Sequence, residues 1–183
     1  TTDSGGTTAI NGSTMTTTGA QTYNDAVTLG AATTLTSSSS GNINLASTVN
    51  GAQALTINTA GTTTFGGIVG GTTALTSITT DAAGSLAING GAITTTGAQT
   101  YNDAVTLGAA TTLSAASITT GSTLNASTYA ATLTTDAITI GGNLSGSGAL
   151  TIQPKTASTT IGIGSAASGT LSLDDTELGR LVD

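Results

Sequence analysis

Two stretches of this chain are identical over seventeen residues: 19–35 and 97–113 both read GAQTYNDAVTLGAATTL, an offset of 78. The match extends backward. Between 1–35 and 79–113, 28 of 35 positions agree, and differences at core-type positions are mild, such as Met15 against Ile93. Downstream, LAST at 45–48 echoes NAST at 125–128, and GGIVGGTTALT at 66–76 echoes GGNLSGSGALT at 141–151. The offsets there drift to 80 and 75, so residues are gained and lost between copies. Stacked solenoids absorb such changes at their turns and not in their strands. We divide the chain, as one repetitive domain over 1–183, into copies 1–78 and 79–156 and a divergent part 157–183.

Inside each copy runs a finer rhythm. Leu55-Thr56-Ile57, Leu86-Ala87-Ile88, Val105-Thr106-Leu107, Ile138-Thr139-Ile140 and Leu171-Ser172-Leu173 each place two apolar residues two apart. That is the strand period, with both side chains on one face and threonine between them pointing outward. Asn11-Gly12, Asn50-Gly51 and Asn89-Gly90 punctuate the segments as turns. Helical periodicity is missing except at 174–181, where Asp174 or Asp175 caps a short turn or the stretch is a polar loop.

Composition narrows the architecture. One Phe and no Trp cannot fill a bulky sandwich core, and a 78-residue repeat is too long for a propeller blade. Only 6% of residues are charged and one is proline, which argues against disorder. A parallel β-solenoid needs only a few small or β-branched inward residues per coil. We therefore expect an all-β, parallel β-helix of roughly 8–10 coils, with four coils of about 20 residues per repeat preferred over three of about 26. At about 4.8 Å per coil, nine coils make a rod on the order of 45 Å long.

The segments TTTGAQTYNDAVTLGAATTL, NGAQALTINTAGTTTFGGIVGGTTALTSITTDAAG and GTLSLDDTELGRLVD resemble the repeat region of giant filamentous-haemagglutinin-like bacterial exoproteins. The resemblance covers nearly the whole chain and is specific to that style of repeat. It implies a right-handed coil, export by a Gram-negative bacterium to the cell surface or medium, and a stalk segment holding adhesive regions away from the cell. The implied partners are neighbouring repeats of the same long chain and a surface receptor that the residues do not identify. An alternative is an ice-binding or self-assembling filament solenoid.

No enzyme chemistry is visible. With no His and no Cys, the usual bases, thiol nucleophiles and metal ligands are missing, so no catalytic, metal or cofactor residue is expected. Asp25 and Asp103 are repeat-equivalent, as are Asp3 and Asp81, which reads as turn chemistry. Asp174, Asp175 and Glu177 read as a solvated acidic turn and not as a calcium site. Lys155 and Arg180 are the only cations and the net charge is −7, which excludes a phosphate-neutralising surface and a polybasic membrane patch. The runs Thr16–Thr18, Thr62–Thr64 and Thr94–Thr96 recur, yet not at every coil, which suits neutral strand faces better than an ordered-water array. Acceptor patterns at Asn11, Asn125 and Asn143 arise readily by chance in so Ser/Thr-rich a chain. Tyr23 and Tyr101 sit at one repeat phase, which points to a structural role in each module. Because residue 1 begins in mid-pattern, open coil ends and end-to-end association are expected, chiefly through the N-terminal face, with 174–183 shielding the other end.

Overall fold

The computed structural model describes residues 1–182 as a stack of parallel coils around one continuous core. Every strand ladder is parallel, and three faces run the length of the stack. The first face carries β1 (Thr7–Ile10), β4 (Ala26–Leu29), β7 (Val49–Asn50), β12 (Ala92–Thr94), β15 (Thr111–Ser114), β18 (Ala131–Thr134) and β21 (Leu150–Gln153), with Val69 bridging β7 to β12. The second carries β2 (Thr14–Thr17), β5 (Thr33–Ser37), β8 (Ala54–Asn58), β10 (Ser77–Thr80), β13 (Ala98–Tyr101), β16 (Ser117–Thr120) and β19 (Ala137–Ile140). The third carries β3 (Gln21–Tyr23), β6 (Ile43–Leu45), β9 (Thr62–Phe65), β11 (Ser85–Ile88), β14 (Ala104–Leu107), β17 (Leu124–Asn125), β20 (Leu144–Ser145) and β24 (Leu181–Val182). Between β21 and β24 the chain forms the small pair β22 (Ile161–Ile163) and β23 (Leu171–Leu173) and the one-turn helix α1 (Asp175–Leu178).

The period-2 pattern produces these faces directly. Leu55 and Ile57 of β8 are buried while Ala54, Thr56 and Asn58 are not. In-register stacking turns each inward position into a column. On the first face Val27, Val49, Val69, Ile93, Leu113 and Leu133 lie one above the next, and all are 1% exposed or less. Each such side chain contributes about 1.5–3 kcal/mol by leaving water. Threonine also enters the core: Thr33, Thr95, Thr111 and Thr135 are buried at corners and donate their hydroxyls to the carbonyls of Ala31, Gly97, Ala109 and Ala137, at 2.8–2.9 Å. Glycine is required where coils meet closely at a corner. Gly51 has φ +126°, and a Cβ there would lie 2.3 Å from the Leu29 carbonyl oxygen.

The stack holds about seven full coils, fewer than the 8–10 expected, which shortens the rod to about 34 Å at ~4.8 Å per coil. Two features account for the difference. Register partners in successive coils up to β21 lie 19 to 24 residues apart, as in Thr7 with Ala26 and Val69 with Ile93, and residues 154–180 leave the coil path. The repeat is also not four coils. TTAI at 7–10 forms β1 on the first face, whereas its equivalent SLAI at 85–88 forms β11 on the third. Likewise AVTL forms β4 on the first face at 26–29 and β14 on the third at 104–107. With Val69 counted as the first-face segment of its coil, the 78-residue step crosses eleven face segments, one short of four coils. The three faces are therefore interchangeable hosts for the same tetrapeptide, because each asks only for two inward apolar residues in register with the coils on either side.

Candidate functional site

The residues that could carry chemistry lie at the corners, inside the core and at the two ends. At the corner entering β4, Asp25 is 7% exposed; the Gly6 N–H donates to its Oδ1 at 2.9 Å and the Thr8 hydroxyl to its Oδ2 at 3.1 Å. Asp103 occupies the equivalent corner before β14 and is 2% exposed, with the Gly84 N–H donating to Oδ1 at 2.9 Å. Its Oδ2 has no partner. The sequence explains why: the position of Thr8 in the first copy is Leu86 in the second, which cannot donate. Burial pushes the Asp103 carboxyl above the usual range, the nearby Asp81 carboxylate adds to this, and the neighbouring Thr80 hydroxyl and the Gly84 N–H oppose it. Asp81 in turn accepts the Thr59 N–H at 3.1 Å. The aspartates thus cross-tie neighbouring coils.

Within the core, Gln99 Nε2 donates to the carbonyls of Ile93 and Ser114, both at 3.0 Å, and its Oε1 accepts the Tyr101 hydroxyl at 2.9 Å. Gln21 and Tyr23 repeat the arrangement with Met15 and Thr36, at 3.1, 2.8 and 2.8 Å, on the third face instead of the second. Gln99 and Tyr101 are fully buried, and Tyr101 fits because its stacking neighbours in the column, Thr80 and Thr120, are small. Burial raises the Tyr101 phenol far above its ordinary value and the half-buried Tyr23 less deeply in the same direction. Gln-x-Tyr spacing, which puts both side chains on one face of a strand, is the sequence signal for this pair, of which the tyrosines alone stand out by repeat phase.

The threonine runs do not line up: Thr16–Thr18 begins on the second face, Thr62–Thr64 lies on the third, and Thr94–Thr96 begins on the first. Asn11, Asn125 and Asn143 are exposed and fall on different corners and strands.

The C-terminal segment packs as a cap. Asp174 is the N-cap of α1 in a capping box, its Oδ1 accepting the Glu177 N–H at 2.8 Å while Glu177 Oε2 accepts the Asp174 N–H at 3.2 Å. Glu177 Oε1 also accepts the Ile140 N–H at 3.0 Å, and Arg180 donates to the Ile140 carbonyl. Both backbone groups of the last β19 residue are thereby satisfied by side chains, after which β24 joins β20. Asp136 orders the preceding loop by accepting from the N–H groups of Lys155 and Thr156 and the hydroxyls of Thr156 and Thr159, at 2.6–3.0 Å. Those bonds, led by the Thr156 hydroxyl, lower its carboxyl to about 2. Lys155 Nζ donates to the Thr95 carbonyl at 2.8 Å.

Four of the six exposed large apolar side chains, Leu150, Ile161, Ile163 and Val182, belong to the C-terminal strands β21, β22 and β24. A recess of about 140 Å³ opens there beside Leu124, Ala126, Leu144, Leu150 and Val182. At the other end Thr2 N–H donates to the Thr22 carbonyl at 2.9 Å and Asn24 Nδ2 to the Thr2 carbonyl at 2.7 Å, so residue 2 already covers part of β3.

Among the described residues no three His, Cys, Asp or Glu side chains group as a metal site, and no helix is long and apolar enough to cross a membrane. Compared with protein-family models, curated proteins and solved structures, the chain matches none.

Proposed function

We propose that the chain is a structural, non-enzymatic segment: part of the shaft of a large bacterial surface or secreted adhesin of the filamentous-haemagglutinin kind, acting as a rigid spacer. The observation that carries this reading is the use made of polar side chains. Asp25, Asp103, Gln99 and Asp136, the groups best placed for chemistry, spend their bonds on backbone and hydroxyl partners in neighbouring coils or the adjoining loop. A core held by in-register columns resists bending, because each coil is fixed to the next along three ladders at once. The sequence resemblance supplies the bacterial surface as the location, and neighbouring repeats of the same long chain as the partners.

The test is display of this chain on a non-adherent bacterium, alone and beneath a fused binding module. The chain alone captures no host or bacterial cells, and the module captures targets across a thick surface coat only when the chain is present. Capture by the chain alone would contradict the spacer role.

A further inference from the structure

One column on the outside of the rod is unbroken. On the second face Thr14 pairs with Thr34, Thr34 with Thr56, Thr56 with Thr79, Thr79 with Thr100, Thr100 with Thr119 and Thr119 with Thr139. Every strand of this seven-stranded sheet contributes one threonine, and all seven point away from the core. The third face is mixed by comparison: its corresponding column reads Thr22, Asn44, Thr64, Ala87, Thr106, Asn125 and Ser145. The ladder is not assembled from the runs of three threonines. It arises because seven separate strands each place a threonine at one register position.

Two further observations bear on what the ladder could meet. None of its seven hydroxyls is engaged by another protein group among the described residues, whereas the buried corner threonines donate to carbonyls. The flanking column on one side is small, with Ala54, Ser77, Ala98, Ser117 and Ala137, and the column on the other side is polar, with Thr16, Thr36 and Asn58 in register. The adjoining charge is Asp81, which is tied to the Thr59 N–H.

We propose that this face binds the surface of an ice crystal. A protein partner would be expected to need Trp, Tyr or Arg anchors, and a nucleic acid or anionic membrane would need cations; the strip carries neither. Sugar polymers are usually gripped by exposed aromatic rings, and the tyrosine of this sheet, Tyr101, faces the core. What remains is a rigid row of hydroxyl and methyl groups repeating at about 4.8 Å. Hexagonal ice repeats along one axis at nearly that distance, so lattice water can bond each hydroxyl in turn while the methyls rest in lattice hollows. Because the row is fixed before contact, little ordering entropy opposes the many weak bonds. This inference does not rest on the spacer reading and can fail independently of it.

The experiment measures partition of the protein into a slowly growing ice hemisphere, together with thermal hysteresis. Unmodified chain, Thr79→Lys at the centre of the ladder, and Thr106→Lys on the exterior of the third face are compared, with far-UV circular dichroism confirming that each folds. The unmodified chain and Thr106→Lys are expected to enter ice and show hysteresis, and Thr79→Lys to fall to the level of serum albumin. Exclusion of the unmodified chain from ice overturns the proposal, as does equal loss in both variants. Binding to crystalline cellulose or chitin without entry into ice also overturns it and assigns the ladder to a polysaccharide. Should Thr79→Lys not fold, Thr79→Val, which keeps shape and removes one hydroxyl, is the substitute and is expected to weaken partition.

Discussion

Replacing Gln99 and Tyr101 singly and together measures how the core tolerates polar groups. In Gln99→Leu the Tyr101 hydroxyl, wholly inside the core, loses its acceptor, and a stranded buried donor costs about 1–3 kcal/mol. The Ser114 carbonyl keeps the Thr95 N–H at 2.9 Å, while the Ile93 carbonyl loses the Gln99 amide as well. With the lost fit of the amide, we expect about 2–4 kcal/mol for Gln99→Leu. Tyr101→Phe leaves only Gln99 Oε1 unpaired and should cost about 1–2 kcal/mol. In the double variant neither partner is stranded, so the sum of the single effects should exceed the double effect by about 1–2 kcal/mol. Gln21→Leu and Tyr23→Phe make the same cycle at the half-buried first coil and should show smaller values. Urea unfolding followed by circular dichroism reads all six variants. Additivity within ~0.5 kcal/mol, or equal costs at the two sites, would refute the reasoning.

Three other outcomes follow from the same contacts. Asp103→Asn should stabilise the protein at pH 7 by about 1 kcal/mol, because it removes a buried negative charge that burial and the Asp81 carboxylate both disfavour. The raised carboxyl also means that the Asp103 contribution is fully present below its unfolded value near 3.9 and lost as pH rises through the higher folded value, a slope that Asp103→Asn should abolish in pH-dependent melting. Asp136 has the opposite sign: its contribution is present above about 3.9 and lost as pH falls through about 2, so proteolysis within 154–160 should quicken in acid, and Asp136→Ala should quicken it at neutral pH. Deleting 174–182 frees the Ile140 backbone and the β20 edge, and sedimentation should show more association than for the intact chain; Ile163→Asp in the truncated chain should reduce it, since Ile163 is 66% exposed.

The strands and their inward residues were legible because a period of two is a local property: Leu55 and Ile57 declare their face without reference to the rest of the chain. The coil count was not, because three equivalent faces let the identical segment at 26–29 and 104–107 settle on different sides of the rod. Nothing in the repeat itself distinguishes eleven face segments from twelve. Asp174 was legible as a candidate cap from its place before an acidic turn, while the reach of Glu177 and Arg180 to Ile140 depends on residues some forty positions away. The threonine ladder is not legible in the sequence for a related reason: its members are separated by 19 to 23 residues, so no fixed spacing reveals them.

Register between coils is the claim on which all of this stands, and the absence of native cysteine allows it to be tested by cross-linking. Thr56 and Thr79 are register partners, whereas Thr79 and Thr119 lie two coils apart. Adjacent strands place Cα atoms about 4.8 Å apart, within disulfide reach, and two coils place them about 10 Å apart, beyond it. Mild oxidation should close an intramolecular disulfide in Thr56→Cys/Thr79→Cys and none in Thr79→Cys/Thr119→Cys. A disulfide only in the second pair, or in neither, would contradict the stacked-coil register.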